Sequence, residues 1–238
     1  MKRHILLVFI AFLMIFTPTL ADSAPRTFQA SIRDITPAEQ EKMKGRSWLE
    51  GCPVKPADLA SIHLNYIGYD SVVHEGVLVI HRRLANEVVE IFRELFNTGF
   101  QIERMQVYED FPISQYAASN DTTGFYCRPA QDDPTIFSSH AYGIAIDINP
   151  MTNPFLDPVD GWWPDGSAAN AERHRVAPGL LTAESEAVKI FLRYGWAWGG
   201  MYQKHTDYMH FYKYTVGDEK NPLERPVWAA KLEYVPKP

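Results

Sequence analysis

The stretch Ser138-Ser139-His140-Ala141-Tyr142-Gly143-Ile144-Ala145-Ile146-Asp147, running on into Ile148 and Asn149, decides the reading of this chain. From Gly143 to Asn149 the residues alternate. Ile144, Ile146 and Ile148 fall on one face and Ala145, Asp147 and Asn149 on the other, the pattern of a half-buried strand. A carboxylate in such an apolar strand is costly unless it is paired or bound to a metal. His140 lies seven residues before Asp147. An extended chain would hold the two about 23 Å apart and a helix about 10 Å apart. Both can reach one metal ion, with bonds of about 2 Å, only if the chain reverses between them. Gly143 is the residue that permits a reversal.

A second acid and histidine stand in Asp207-Tyr208-Met209-His210-Phe211. An acid three residues before a histidine can share one side of a turn, so the imidazole can bind a metal while the carboxylate reaches a water beside it. Taken together, the two segments offer His140, Asp147 and His210 as ligands and Asp207 as a further acid. Three protein ligands leave a fourth position for water, which is the open arrangement of a catalytic zinc site. The chain has eight histidines. His4 lies in the leader; His63, His74, His81 and His174 read as surface or structural residues, and His205 fits either role. No GxSxG nucleophile elbow occurs, so a serine hydrolase has no support.

Thr36-Pro37-Ala38-Glu39 predicts a helix start, with Thr36 as N-cap, Glu39 closing a capping box and Gly45 ending the helix. Leu59 to Tyr69, Gly76 to His81 and Gln101 to Tyr108 read as strands. Leu84, Val88, Ile91, Phe92, Leu95 and Phe96 form the apolar stripe of an amphipathic helix over Arg82 to Asn97, stopped at Gly99. A Pro- and Trp-containing insertion runs from Pro150 to about Gly179. Thr182 is the expected cap of a last helix carrying Ala187, Ile190, Phe191 and Tyr194. Trp196 to Trp198 and Met209 to Tyr214 are the expected closing strands. Strands clustered with helices, without regular βαβ alternation, predict an α+β fold. Trp162 and Trp163 are candidates for a cleft wall, whereas Trp196 and Trp198 are expected to pack internally.

The chain of 238 residues is 46% hydrophobic and 22% charged, which excludes disorder and a cysteine-dense scaffold. A charge of −6 argues against an electrostatic nucleic-acid binder. Met1-Lys2-Arg3-His4, the apolar run Ile5 to Phe16 and the small residues ending at Ala21 form the pattern of a secretory signal peptide over residues 1–21. The apolar run is shorter than the roughly 20 residues of a membrane span. Cleavage after Ala21 removes Lys2 and Arg3 and no acid, leaving 217 residues at −8. No membrane span would remain, and the mature protein would be periplasmic or secreted. In an oxidising compartment Cys52 and Cys127 are expected to pair, the alternative being two buried thiols.

SSHAYGIAID matches the SxHxxGxAxD motif of the VanX/VanY-like zinc D-alanyl-D-alanine carboxypeptidases and L-alanyl-D-glutamate peptidases, and DYMHF resembles their second motif. Gly51 to Val54 (GCPV), Asn120 to Arg128 (NDTTGFYCR) and Ile148 to Pro154 (INPMTNP) resemble the VanY-like branch. The resemblance implies a hedgehog/DD-peptidase fold: one domain with a small, mainly antiparallel sheet flanked by helices. That domain would span 51–214, after a leader and short helix over 22–50 and before a tail over 215–238. It implies one Zn2+ per chain held by His140, Asp147 and His210. Asp207 then falls at the position of the catalytic base, and Arg128 at that of the arginine that polarises the scissile carbonyl. Ser138 matches the motif serine, for which substrate binding is the implied role. The implied substrates are peptidoglycan stem peptides, cleaved by a monomer through metal-activated water attack. One departure matters: several carboxypeptidases of the family carry Glu where this chain has Asp207, and Asp is more typical of the endopeptidase branch. The two cues point to different bonds, a terminal D-Ala-D-Ala bond or an internal L-Ala-D-Glu bond. The alternative is a non-catalytic binding module that keeps the zinc scaffold.

Overall fold

The computed structural model describes residues 26–110, 112, 115–130, 134–202 and 205–213. The expected signal peptide over 1–21, the tail over 215–238 and Tyr214 lie outside the described residues. Among the described residues, two three-stranded antiparallel sheets and a two-stranded hairpin combine with three α-helices, so the fold is α+β, with small antiparallel sheets flanked by few helices.

The first sheet is ordered β1 (Ala30–Asp34), β2 (Leu59–Ile67), β3 (Val73–His81). β1 lies within the expected leader, upstream of Gly51, yet it pairs with β2 from Ala30 opposite Leu64 to Asp34 opposite Ala60. Its side chains are mostly exposed, so its sequence carries almost no hydrophobic alternation to reveal it. Between β1 and β2, α1 (Pro37–Met43) starts as the sequence predicts. The Thr36 hydroxyl accepts from the Glu39 amide, and the Glu39 carboxylate accepts from the Thr36 amide. Cys52 and Cys127 are joined in a disulfide, with Cα atoms 6.1 Å apart.

α2 (Ala85–Asn97) buries Val88, Ile91, Phe92 and Leu95 against β2, and the 3-10 turn Arg82–Leu84 forms its entry. Gln101 to Tyr108, expected as a strand, forms only single bridges, Gln101 to Ile67 and Arg104 to Asp121. Its buried apolar residues, Ile102, Met105 and Tyr108, follow one another at three rather than two, so the segment cannot keep one pleated face inward.

The second sheet is ordered β4 (Ala145–Asp147), β8 (His210–Lys213), β7 (Trp196–Trp198). β4 is shorter than the expected strand because Gly143 and Asn149 both adopt left-handed conformations, φ 66° and 48°. It is also not half-buried. Every residue from His140 to Pro150 is buried, since the isoleucines enter the main core and the opposite face is covered as well. Thr123 exchanges backbone hydrogen bonds with Asp147 (3.0 and 2.9 Å), while Phe125 donates to the Val79 carbonyl at 2.7 Å. Residues 121–125 thereby stitch β3 to β4 and join the two sheets.

α3 (Glu186–Arg193) packs on α2 and β7. It begins three residues later than expected: Ser185 is the N-cap, and Thr182 instead binds Ser185 through both its amide and its carbonyl. Trp196 and Trp198 are internal, as expected.

The insertion after β4 contains a hairpin, β5 (Phe155–Asp157) and β6 (Gly161–Trp163). Buried polar residues hold it. The Asn149 amide donates to the Gln101 carbonyl, and that of Asn153 to the Ile148 and Gly179 carbonyls. Arg173 donates to Asn153 Oδ1 and to the Thr152 and Leu181 carbonyls, while its guanidinium lies 4.3 Å from the ring centre of Tyr208. Among the described residues no helix is long and apolar enough to cross a membrane.

Candidate metal centre and active site

Three backbone devices bring His140, Asp147 and His210 together. The 3-10 turn Ser139–Tyr142 carries His140 and closes on Gly143, whose left-handed conformation reverses the chain into β4. In the β4–β8 pairing, Asp147 lies directly opposite His210. Directly opposed residues on adjacent strands have their Cβ atoms about 5 Å apart, so this register places carboxylate and imidazole on one face.

One ligand atom from each of the three residues lies within 4.8 Å of the others. His210 Nδ1 is 2.9 Å from Asp147 Oδ1 and 3.1 Å from His140 Nε2, which is itself 3.2 Å from Asp147 Oδ2. His140 Nδ1 lies 2.6 Å from the Gly124 carbonyl, to which it donates, so Nε2 faces the cluster with its lone pair. Two imidazole nitrogens and a carboxylate form a donor set suited to zinc, and the residues present fit such an ion.

Burial opposes ionisation of Asp147, but the charges and hydrogen bonds of His140 and His210 outweigh it and hold the carboxyl well below the usual range. His210 is shifted down, chiefly by burial, with the Asp147 carboxylate acting against the shift. Both shifts favour the ligand forms, carboxylate and neutral imidazole.

Asp207 sits at the margin of this cluster. Its amide donates to the Gly199 carbonyl at 3.1 Å, and it bridges to Phe155 of β5. A Cβ on Gly199 would lie 2.9 Å from the Asp207 Cβ, so only glycine admits this approach. Burial, and then the Asp147 charge, push the Asp207 carboxyl well above the usual range, with Arg128 pulling it down. Its Oδ1 is buried and meets no hydrogen-bond partner among the described residues. Arg128 is half-buried, follows the disulfide-bonded Cys127 directly, and its charge acts on Asp207, on His210 and on Tyr116.

Ser138 is buried, and its hydroxyl accepts from the His140 amide at 3.3 Å; it caps the turn that carries His140. The neighbouring Ser139 is the serine that reaches His210, with Oγ 3.2 Å from Nε2. Trp163 packs against Tyr116, which joins Tyr108 and Tyr126 in an aromatic cluster; Trp162 stacks on Tyr208. Neither Gly124 nor Ser139 is marked as a site residue by the sequence pattern. Gly124 contributes a carbonyl, which leaves no side-chain signature, and Ser139 is one of two adjacent serines that pattern alone does not tell apart.

Residues 131–213 match the family model of the D-alanyl-D-alanine carboxypeptidases. The family whose motifs the sequence resembles is thus the one that the chain matches. The match covers about a third of the chain, including His140, Asp147, Asp207 and His210, and supports a peptidase. No curated protein and no solved structure gives a significant match.

Proposed function

We propose that this protein is an exported zinc peptidase that cleaves peptidoglycan stem peptides, with His140, Asp147 and His210 as the metal ligands. The observation that carries this reading is the convergence of the three ligand atoms, within 4.8 Å, inside the segment that matches the carboxypeptidase family. A zinc ion held there would polarise a carbonyl and lower the pKa of a water to about 7.

The chain supplies the rest. Asp207 is the base. Its Oδ1, which meets no hydrogen-bond partner among the described residues, can take a proton from water and return it to the leaving amine. Arg128 presents a fixed fork of donors to the oxygen on which negative charge develops. The half-buried Trp163 and Tyr126 are suited to hold the peptide beside it.

The test is mass spectrometry of muropeptides digested with the full-length secreted protein, with and without a chelator. The expected result is chelator-sensitive release of D-alanine or of a stem-peptide fragment, and the released species names the bond. A folded, zinc-loaded protein that releases nothing would favour the binding-module alternative and overturn this reading. Asp207→Ala is expected to abolish release while retaining zinc; turnover in that variant would show that another group is the base.

A further inference from the structure

We infer that Ser139 is a positioning residue that fixes the orientation of the His210 ring, through a hydrogen bond between its hydroxyl and Nε2. The inference rests on the proposed metal centre.

The imidazole of His210 stacks on Tyr212, with ring centroids 5.7 Å apart and planes inclined by 24°. Stacking fixes the plane of the ring but not its flip. A half-turn about the Cβ–Cγ bond keeps the ring plane and turns the opposite, equivalent face to Tyr212, while exchanging Nδ1 for Cδ2 and Nε2 for Cε1. In the observed flip, Nδ1 points at Asp147 and His140, and Nε2 points at Ser139 Oγ, 3.2 Å away. In the other flip a carbon would face the cluster and another carbon would face the hydroxyl. The serine therefore distinguishes two orientations that the aromatic contact leaves equivalent.

Tautomer follows from the same contact. A metal on Nδ1 needs the lone pair there, so the ring proton must reside on Nε2. At that position Ser139 Oγ is an acceptor at hydrogen-bond distance. Without a metal, Asp147 Oδ1 is 2.9 Å from Nδ1 and favours a proton there, which leaves Nε2 as an acceptor. A hydroxyl serves both states because it can accept or donate by rotation. His140 has a partner of a different kind, the fixed Gly124 carbonyl, which can only accept. One short turn thus provides His140 as a ligand and, from the adjacent residue, the partner that orients the other histidine.

Hydrogen-bond partners of metal-bound histidines typically contribute about 10- to 100-fold in metal affinity. The experiment compares the full-length protein with Ser139→Ala and Ser139→Thr, measuring zinc affinity by competition with a chromophoric chelator and the His210 ring N–H by 15N NMR of the zinc-loaded forms. Ser139→Ala is expected to weaken zinc binding by about 10- to 100-fold. It should also lose the slowly exchanging Nε2–H resonance, without changing the denaturation midpoint of the metal-free protein. Ser139→Thr retains the hydroxyl and should restore both readouts. Equal zinc affinity in wild type and Ser139→Ala, or equal losses in the Ala and Thr variants, would overturn the role of Ser139 alone. A wild-type protein that takes up no zinc would instead overturn the metal centre and the proposed function with it.

Discussion

Replacing Gly124 by alanine tests the link between the joined sheets and the metal centre. Gly124 lies between β3 and the turn that carries His140. A Cβ built on it would sit 2.2 Å from the Val79 carbonyl oxygen and 3.3 Å from the Val79 carbonyl carbon. An unstrained C···O contact is about 3.3 Å, so the two backbones must part by about 1 Å. The Phe125 amide, now 2.7 Å from that same Val79 oxygen, would then be carried to about 3.7 Å, outside hydrogen-bond range. A buried amide without a partner costs about 1–3 kcal/mol, and overpacking a tight interior costs about as much again. The reduced entropy of the unfolded alanine chain returns somewhat under 1 kcal/mol. The expected net loss is about 2–5 kcal/mol. The same shift moves the Gly124 carbonyl off His140 Nδ1, so zinc affinity should fall by about 10- to 100-fold. Denaturant unfolding in chelator measures the first effect and chelator competition the second. Gly45→Ala is the comparator: its φ is 72° and a Cβ there meets nothing within 4 Å, so it should cost only about 1 kcal/mol and leave zinc affinity intact. A Gly124→Ala protein as stable and as tightly metal-binding as Gly45→Ala would refute the reasoning.

Removing the disulfide by Cys52→Ser with Cys127→Ser should lower stability by about 4 kcal/mol, since the bond joins residues 75 apart and constrains the unfolded chain; a loss below about 1 kcal/mol on denaturant unfolding would count against this. Asp121 is fully buried, and burial pushes its carboxyl up to about 8, against the pull of Arg104. Because this exceeds the unfolded value, the folded protein binds the extra proton between about pH 4 and 8, and the contribution is present at low pH and lost as pH rises toward 8. The stability difference between wild type and Asp121→Asn should therefore fall by up to about 1.4 kcal/mol per pH unit across that window; a difference independent of pH from 5 to 8 would show that Asp121 does not titrate there.

Local signals wrote much of this protein into its sequence. The Thr36 capping box, the apolar stripe of α2, the Gly143 reversal and the aromatic β7 depend on residues within a few positions of one another, where spacing along the chain is nearly spacing in space. His140, Asp147 and His210 stand out in the sequence because their residue types at those spacings are already chemically selective, and the fold brings one ligand atom of each within 4.8 Å of the others. Tertiary structure alone decided their coming together. Asp147 meets His210 through the register of two strands 63 residues apart, and a slip by one residue would turn the imidazole to the other face. β1 was invisible because its pairing is made by backbone groups while its side chains face solvent. Likewise the Gly124 carbonyl and the Ser139 hydroxyl are each aimed at one nitrogen of a histidine ring. Direction is a property of the folded backbone, and no pattern of residue types along the chain encodes it.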